Sequence, residues 1–151
     1  MSVDPSHLTS HLGFWLRYVS NHVSQAFARK LESRDVTVAE WALLRELYDA
    51  GAIAPSRLAD RMGLTRGAVT KLADRLLAKG LVEREANPDD ARAQTLRITP
   101  AGRDLVPDLA ALADANDAEF FGHLTGDERN RLETVLKDIV ERRGLTTIPL
   151  S

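Results

Sequence analysis

Apolar residues recur at three- and four-residue spacing along most of the chain, and the breaks in that rhythm mark out six helices and one hairpin. Leu8, Leu12, Trp15, Leu16, Val19, Val23, Ala26, Phe27 and Leu31 form the first stripe. Asp4 offers an N-cap for it and Pro5 a first helical residue, where a missing N–H costs nothing. The spacing predicts a helix of about thirty residues, roughly 40 Å long, which exceeds what a domain of this size needs to cover its own core. Part of that helix therefore calls for a second packing surface. Thr37 with Glu40 is a capping box that opens a second helix through Trp41, Leu43, Leu44 and Leu47, with Gly51 as its stop. Pro55 starts a short third helix ending before Gly63, and Thr65 caps a fourth that runs to Lys79 and stops at Gly80. Leu81–Ala86 and Thr95–Ile98 alternate as strands around the turn-forming Asn87-Pro88-Asp89-Asp90. Thr99-Pro100 repeats the cap-plus-proline start for a fifth helix, Leu105 to Phe121, in which Pro107 predicts a kink or a later true start. A second capping box, Thr125 with Glu128, opens a sixth helix carrying Leu132, Val135, Leu136, Ile139 and Val140 before Gly144.

The stretch PSRLADRMGLTRGAVTKLADRL, Pro55 to Leu76, carries the most chemistry. Two helices joined by a short turn need a small residue where they cross and a residue tolerant of positive φ where the chain reverses, and Ala59 and Gly63 hold those places. Leu58, Met62, Leu64, Val69, Leu72 and Leu76 supply a shared core, which leaves Arg66, Gly67, Thr70, Lys71 and Asp74 on the outer face of the second helix. Small, basic and hydroxyl-bearing residues near the N-terminal half of such a helix suit the major groove of DNA. Thr65 sits at its cap, and Arg75 is placed for a phosphate. A β-hairpin directly after this helix pair can lie along the duplex, with Arg92 entering the minor groove and Asp90 orienting it.

Charge changes the picture more than composition does. The net charge of -2 averages a stretch 57–79 with 6 basic and 2 acidic residues against a stretch 101–151 with 6 basic and 10 acidic ones. The basic block coincides with the helix pair, as a polyanion partner requires. With 44% hydrophobic and 28% charged residues the chain is a globular domain, large enough to bury roughly 70% of its unfolded surface. It has no cysteine, which excludes disulfides, thiolate metal sites and cysteine nucleophiles. With no apolar run of membrane-spanning length and no signal peptide, the expected location is the cytoplasm, with no membrane contact.

The helix-turn-helix SRLADRMGLTRGAVTKLADRLLAKGLVER and the wing NPDDARAQTLRITPAG together resemble the MarR-type winged-helix transcriptional regulators. Asp90, Arg92, Leu96, Thr99 and Gly102 match that family's wing pattern, while Asn87 and Ala91 depart from its usual acidic and basic tip residues. The resemblance implies a mainly α fold with a small β-hairpin wing. Residues 37–100 would form a winged helix-turn-helix DNA-binding lobe, and residues 1–36 and 101–151 a helical dimerisation region. It further implies a homodimer on a pseudo-palindromic operator, acting as a repressor. The overlong first helix and the apolar tail Leu145, Ile148 and Leu150 ask independently for a partner surface.

DNA-binding residues are thus expected at Thr65, Arg66, Gly67, Thr70, Lys71, Arg75, Asp90 and Arg92. Trp15, Tyr18, His22, Trp41 and Arg45 are expected to line a cleft for a small aromatic or phenolic effector, offering flat apolar walls and, in Arg45, a carboxylate partner; the same aromatics would serve equally as ordinary core. His7 and His11 have the i, i+4 spacing of a zinc pair, but no third ligand converges on them, so neither metal nor cofactor is expected. No nucleophile elbow or glycine-rich phosphate loop is present, and an enzyme is not expected. The competing class is a helical interaction module whose basic helix docks on an acidic protein surface. Preference for one operator sequence, more than salt dependence, separates the two.

Overall fold

The computed structural model describes residues 3–87 and 90–146, the side chains of Asn87 and of residues 90–93 excepted. A 3-10 turn, Leu8–Ser10, precedes α1 (Leu12–Glu32), α2 (Val38–Ala50), α3 (Pro55–Met62) and α4 (Arg66–Ala78). The strands β1 (Val82–Asn87) and β2 (Asp90–Ile98) follow, then α5 (Pro100–Phe121) and α6 (Gly126–Arg142). Both capping boxes form as the sequence implies: Thr37 Oγ1 accepts from Glu40 N at 3.1 Å, and Thr125 Oγ1 accepts from Glu128 N at 3.1 Å.

One core joins α2, α3, α4 and the wing. Leu43, Leu44, Leu47, Leu58, Val69, Leu76, Val82 and Leu96 are buried in it, and Leu109 of α5 and Leu31 of α1 close its far side. The hairpin pairs antiparallel from Val82 opposite Ile98 to Ala86 opposite Gln94, with an irregularity between Ala86 and Asn87. A bridge absent from the sequence reading adds a third edge. Ile53 donates to Leu96 O at 3.0 Å and accepts from Leu96 N at 2.8 Å, which fixes the base of the wing to the α2–α3 loop.

Two boundaries differ from the sequence pattern. The first helix begins at Leu12, not at Pro5, and Asp4 caps nothing. Leu8 and Leu12 are 72% and 81% exposed, so the opening turns of that stripe have no surface to pack on in the single chain, and packing supplies most helical stability. The chain turns back there instead, with Trp15 Nε1 donating to Thr9 O at 3.0 Å. Second, β2 begins at Asp90 and not Thr95, taking the wing tip into the ladder. At α5 the Thr99-Pro100 start forms as the sequence implies, with Thr99 Oγ1 accepting from Gly102 N at 3.1 Å, and the helix runs on through Pro107 with no later start. His7 and His11 both lie outside α1 on extended backbone, which removes the helical spacing that made them a zinc pair.

The start of α5 is pressed against the turn that ends α4. Thr99 donates from its backbone to Leu81 O at 3.0 Å and from its hydroxyl to Gly80 O at 2.8 Å. Gly102 is buried in that contact. A Cβ there would fall 2.8 Å from Ile98 Cγ1 and closer still to the Leu81 carbonyl oxygen, which is backbone and cannot rotate away. Gly102→Ala is therefore expected to cost about 1–3 kcal/mol of folding stability, as measured by denaturant unfolding.

Glu40 is the one carboxylate among the described residues that is buried, at 1% exposure. Burial pushes its carboxyl up, but hydrogen bonds from Lys79 and from the Thr37 backbone and hydroxyl, with the Lys79 charge, outweigh that and hold it below its ordinary value. The folded state therefore binds this proton less readily than the unfolded chain. The stability it contributes is complete above the ordinary carboxylate range and is lost as pH falls through the lowered folded value. Melting profiles from pH 7 downward are expected to show a loss of stability below about pH 4.5 that is reduced in Glu40→Gln.

Candidate nucleic-acid interface

The α3–α4 corner is built by the two small residues the sequence singles out. Ala59 is 4% exposed at the crossing, and Gly63 ends α3 in the left-handed region, φ 64 and ψ 32. Leu64 N then donates to Ala59 O at 2.9 Å, closing the turn. Thr65 caps α4, its hydroxyl accepting from Ala68 N at 3.1 Å. Val69, Leu72, Ala73 and Leu76 turn into the core, and this fixes what the opposite face presents.

That face carries Arg66, Gly67, Thr70, Lys71, Asp74 and Arg75, all exposed. The Thr70 hydroxyl donates to Arg66 O at 2.9 Å, which orients its lone pairs outward. Among the described residues Arg66, Lys71 and Arg75 enter no ion pair. Asp74, the one acid on the face, is held by Arg84 of β1 at 2.6 Å. The wing thus neutralises the recognition face's only negative charge and braces α4 at the same time. Gly67 answers no demand of the fold, since a Cβ there would meet only Thr65 Oγ1, 4.0 Å away. Arg57 and Arg61 of α3 are also exposed, and Arg61 borders a hollow with Arg45, Glu46 and Asp49 of α2.

In the wing, Arg97 and Glu85 pair across the strands at 3.0 Å. The backbone of Asp90 lies opposite Asn87, and Arg92 follows within β2. The side chains of Asp90 and Arg92, and with them the expected contact between the two, fall outside the described residues, as do Ile148 and Leu150 of the tail.

The five effector-site candidates divide into two groups. Trp15, Tyr18 and His22 lie along one exposed side of α1, where Tyr18 and His22 stack with ring centroids 5.1 Å apart. Tyr18 and His22 border a hollow of about 290 Å³ with Phe14, Arg17, Asn21 and Gln25. Trp41 is half-buried and packs edge-on against Phe27, centroids 6.5 Å apart, at the margin of the core. Arg45 pairs with Asp49 at 2.6 Å, lies over the Tyr48 ring at 5.6 Å, and borders a different hollow with Glu46 and Arg61. In the single chain these two do not join the α1 group.

One contact at the recognition helix has no signal in the sequence. The Asp74–Arg84 strut spans a helix, a turn and a strand, a separation with no periodic signature. Arg57 and Arg61 were visible only as part of the local charge excess.

Comparison with known proteins agrees with this geometry. The MarR family model matches residues 34–93, which include α2 to α4 and the start of the wing. The multiple antibiotic resistance protein MarR of Salmonella typhimurium is 31% identical over 130 residues, covering 85% of this chain and 90% of that protein. A crystal structure of a mutant MarR from Escherichia coli complexed with operator DNA superposes with a TM-score of 0.79 at 30% identity, over 85% of this chain and 93% of that one. CouR from Rhodococcus jostii, solved with p-coumaroyl-CoA bound, superposes with a TM-score of 0.78 at 27% identity, over 89% of this chain and 95% of that one. With sequence and fold matched across more than four-fifths of its length, the chain belongs to the MarR family.

Proposed function

We propose that the protein is a transcriptional regulator that binds double-stranded DNA sequence-specifically, as a homodimer on a pseudo-palindromic operator, and represses by occupying it. The observation that carries this reading is the outer face of α4, where three cations that enter no ion pair among the described residues surround a threonine and an uncovered glycine. Arg66 and Thr70 read base edges, Lys71 and Arg75 meet phosphates, Thr65 anchors the helix start, and Gly67 lets the backbone approach the groove. Arg92, oriented by Asp90, takes the minor groove. The operator-bound relative supports DNA as the partner of this face over an acidic protein surface. The expected location is the cytoplasm; among the described residues no helix is long and apolar enough to cross a membrane.

The dimer reading rests on α6 and α1. Leu132, Val135, Leu136, Ile139 and Val140 form a stripe along α6, each 40–55% exposed, and no residue of that helix is buried. Leu12, Trp15, Leu16 and Val19 form a second exposed stripe, on α1. Residues 1–36 and 101–151 accordingly make the dimerisation region and residues 37–100 the DNA-binding lobe. Two copies of α4 then face half-sites about one helical turn apart.

Arg66→Ala is expected to cost roughly 1–3 kcal/mol of operator binding and to relax sequence preference, while Lys71→Ala weakens all duplexes alike and lowers the salt slope. Arg92→Ala is expected to fold normally and bind more weakly. A folded Arg66→Ala/Lys71→Ala protein that binds as the parent does in fluorescence anisotropy would overturn the assignment.

An aromatic or phenolic effector is the expected regulator, taken up along the α1 face of Trp15, Tyr18 and His22. CouR, crystallised with an aromatic acyl-CoA, supports this class of ligand. Such a ligand releases DNA only by binding one dimer geometry more tightly than the other. In a thermal-shift series with aromatic carboxylic acids, a compound that raises melting is expected to weaken operator binding, and both effects should vanish in Tyr18→Ala/His22→Ala. Retention of either effect in that variant places the ligand elsewhere, and Trp41→Ala/Arg45→Ala then tests the second group.

A further inference from the structure

Lys79 is the C-cap residue of α4, the last position before Gly80 turns the chain into the wing. Its ammonium does not point to solvent along the helix axis. It reaches across to the N-terminus of α2, where it donates to Glu40 Oε2 at 3.0 Å, to Glu40 Oε1 at 3.2 Å and to the Asp35 carbonyl at 2.5 Å. The Asp35 carboxylate stands 4.0 Å away on the solvent side. Glu40 in turn accepts from Thr37 N at 3.0 Å, so one buried carboxylate closes the start of α2 and holds the end of the recognition helix together. Asp35 lies in the turn leaving α1, with φ 54, the single non-glycine residue in the left-handed region among those described. Three segments meet at one ammonium: the turn after α1, the first turn of α2 and the last turn of α4.

Glu40 is closed off while the Lys79 side chain keeps 28% exposure, and desolvation of the carboxylate offsets much of the attraction between them. What such a pair fixes is geometry. We infer that Glu40 and Lys79 are positioning residues for DNA recognition, setting the angle of α4 against the α1 that carries its partner-facing stripe, and so the separation of the two recognition helices in a dimer. The inference rests on the DNA-binding reading above. It assigns operator half-site spacing to a contact that touches no DNA.

The test uses the duplex that the wild-type protein enriches from a randomised pool, together with versions lengthened and shortened by one base pair at the centre. Glu40→Gln preserves the shape of the capping box and removes the charge. It is expected to bind the enriched duplex about tenfold more weakly per folded dimer, with its preference over the two altered duplexes reduced toward one. Lys79→Met is expected to behave likewise, the double variant to be no worse than either single one, and Lys79→Arg to restore the spacing preference, since a guanidinium still serves both carboxylate oxygens. A purely structural role would lower melting and scale binding to all three duplexes equally. Equal losses on the three duplexes, or binding per folded dimer within about twofold of wild type, overturns the inference and leaves the DNA reading intact. Should Lys79→Met not fold, Glu40→Gln and Lys79→Arg decide the matter alone. If the wild-type protein enriches no duplex at all, the DNA reading falls, and this inference with it.

Discussion

The protein depends on the one-sided burial of α4. Val69, Leu72, Ala73 and Leu76 are between 0% and 6% exposed, and all four belong to the single core shared with α2, α3 and the wing. With those four positions fixed, the helix has no rotational freedom left, and the side chains between them project outward by geometry alone. The corner at Ala59 and Gly63, the Asp74–Arg84 strut and the Ile53–Leu96 bridge all act on this helix or on the wing beside it. The lobe is a mount, and its polar residues are spent on aim more than on stability.

Electrostatics follows from the same arrangement. Most ion pairs of the described residues are exposed and individually worth little. Their effect here is selective. Acidic partners are supplied to Arg45, Arg84, Arg97, Arg129 and Arg142, while the cations of the α4 face go without. An overall acidic chain thereby keeps a positive surface along α4, and a polyanion meets its field before it meets any base.

Much of this was legible in the sequence because it depends on local chemistry. A capping threonine with a glutamate three residues on, a proline at a first helical position and a glycine at a reversal act within one turn of chain, and α2, α3, α4 and α6 begin where those signals stand. The residues of the α4 face were legible for a related reason, since a helix with one apolar stripe has only one other side. What escaped depends on what the chain lacks or joins at a distance. Asp4 and Pro5 are a sound helix start by local rules, yet without a surface under Leu8 and Leu12 the start moves to Leu12. Pro107 breaks a local rule, yet the helix runs through it. Trp41 and Arg45 share a helix with each other but not a wall with Trp15, a relation fixed by how α2 lies on α1 and by nothing in their spacing.

The helix α6 has a further consequence. It has 17 residues, begins with a complete capping box and buries none of its side chains within its own chain. A helix of that length without packing is marginal in water, and its apolar stripe is the surface on which a second copy would stabilise it. Folding of this segment and association are then a single bimolecular event, and its stability rises with the concentration of the protein itself. Dilution then loosens this helix and concentration tightens it. The abundance of such a regulator is thereby read by its own fold before any operator is involved.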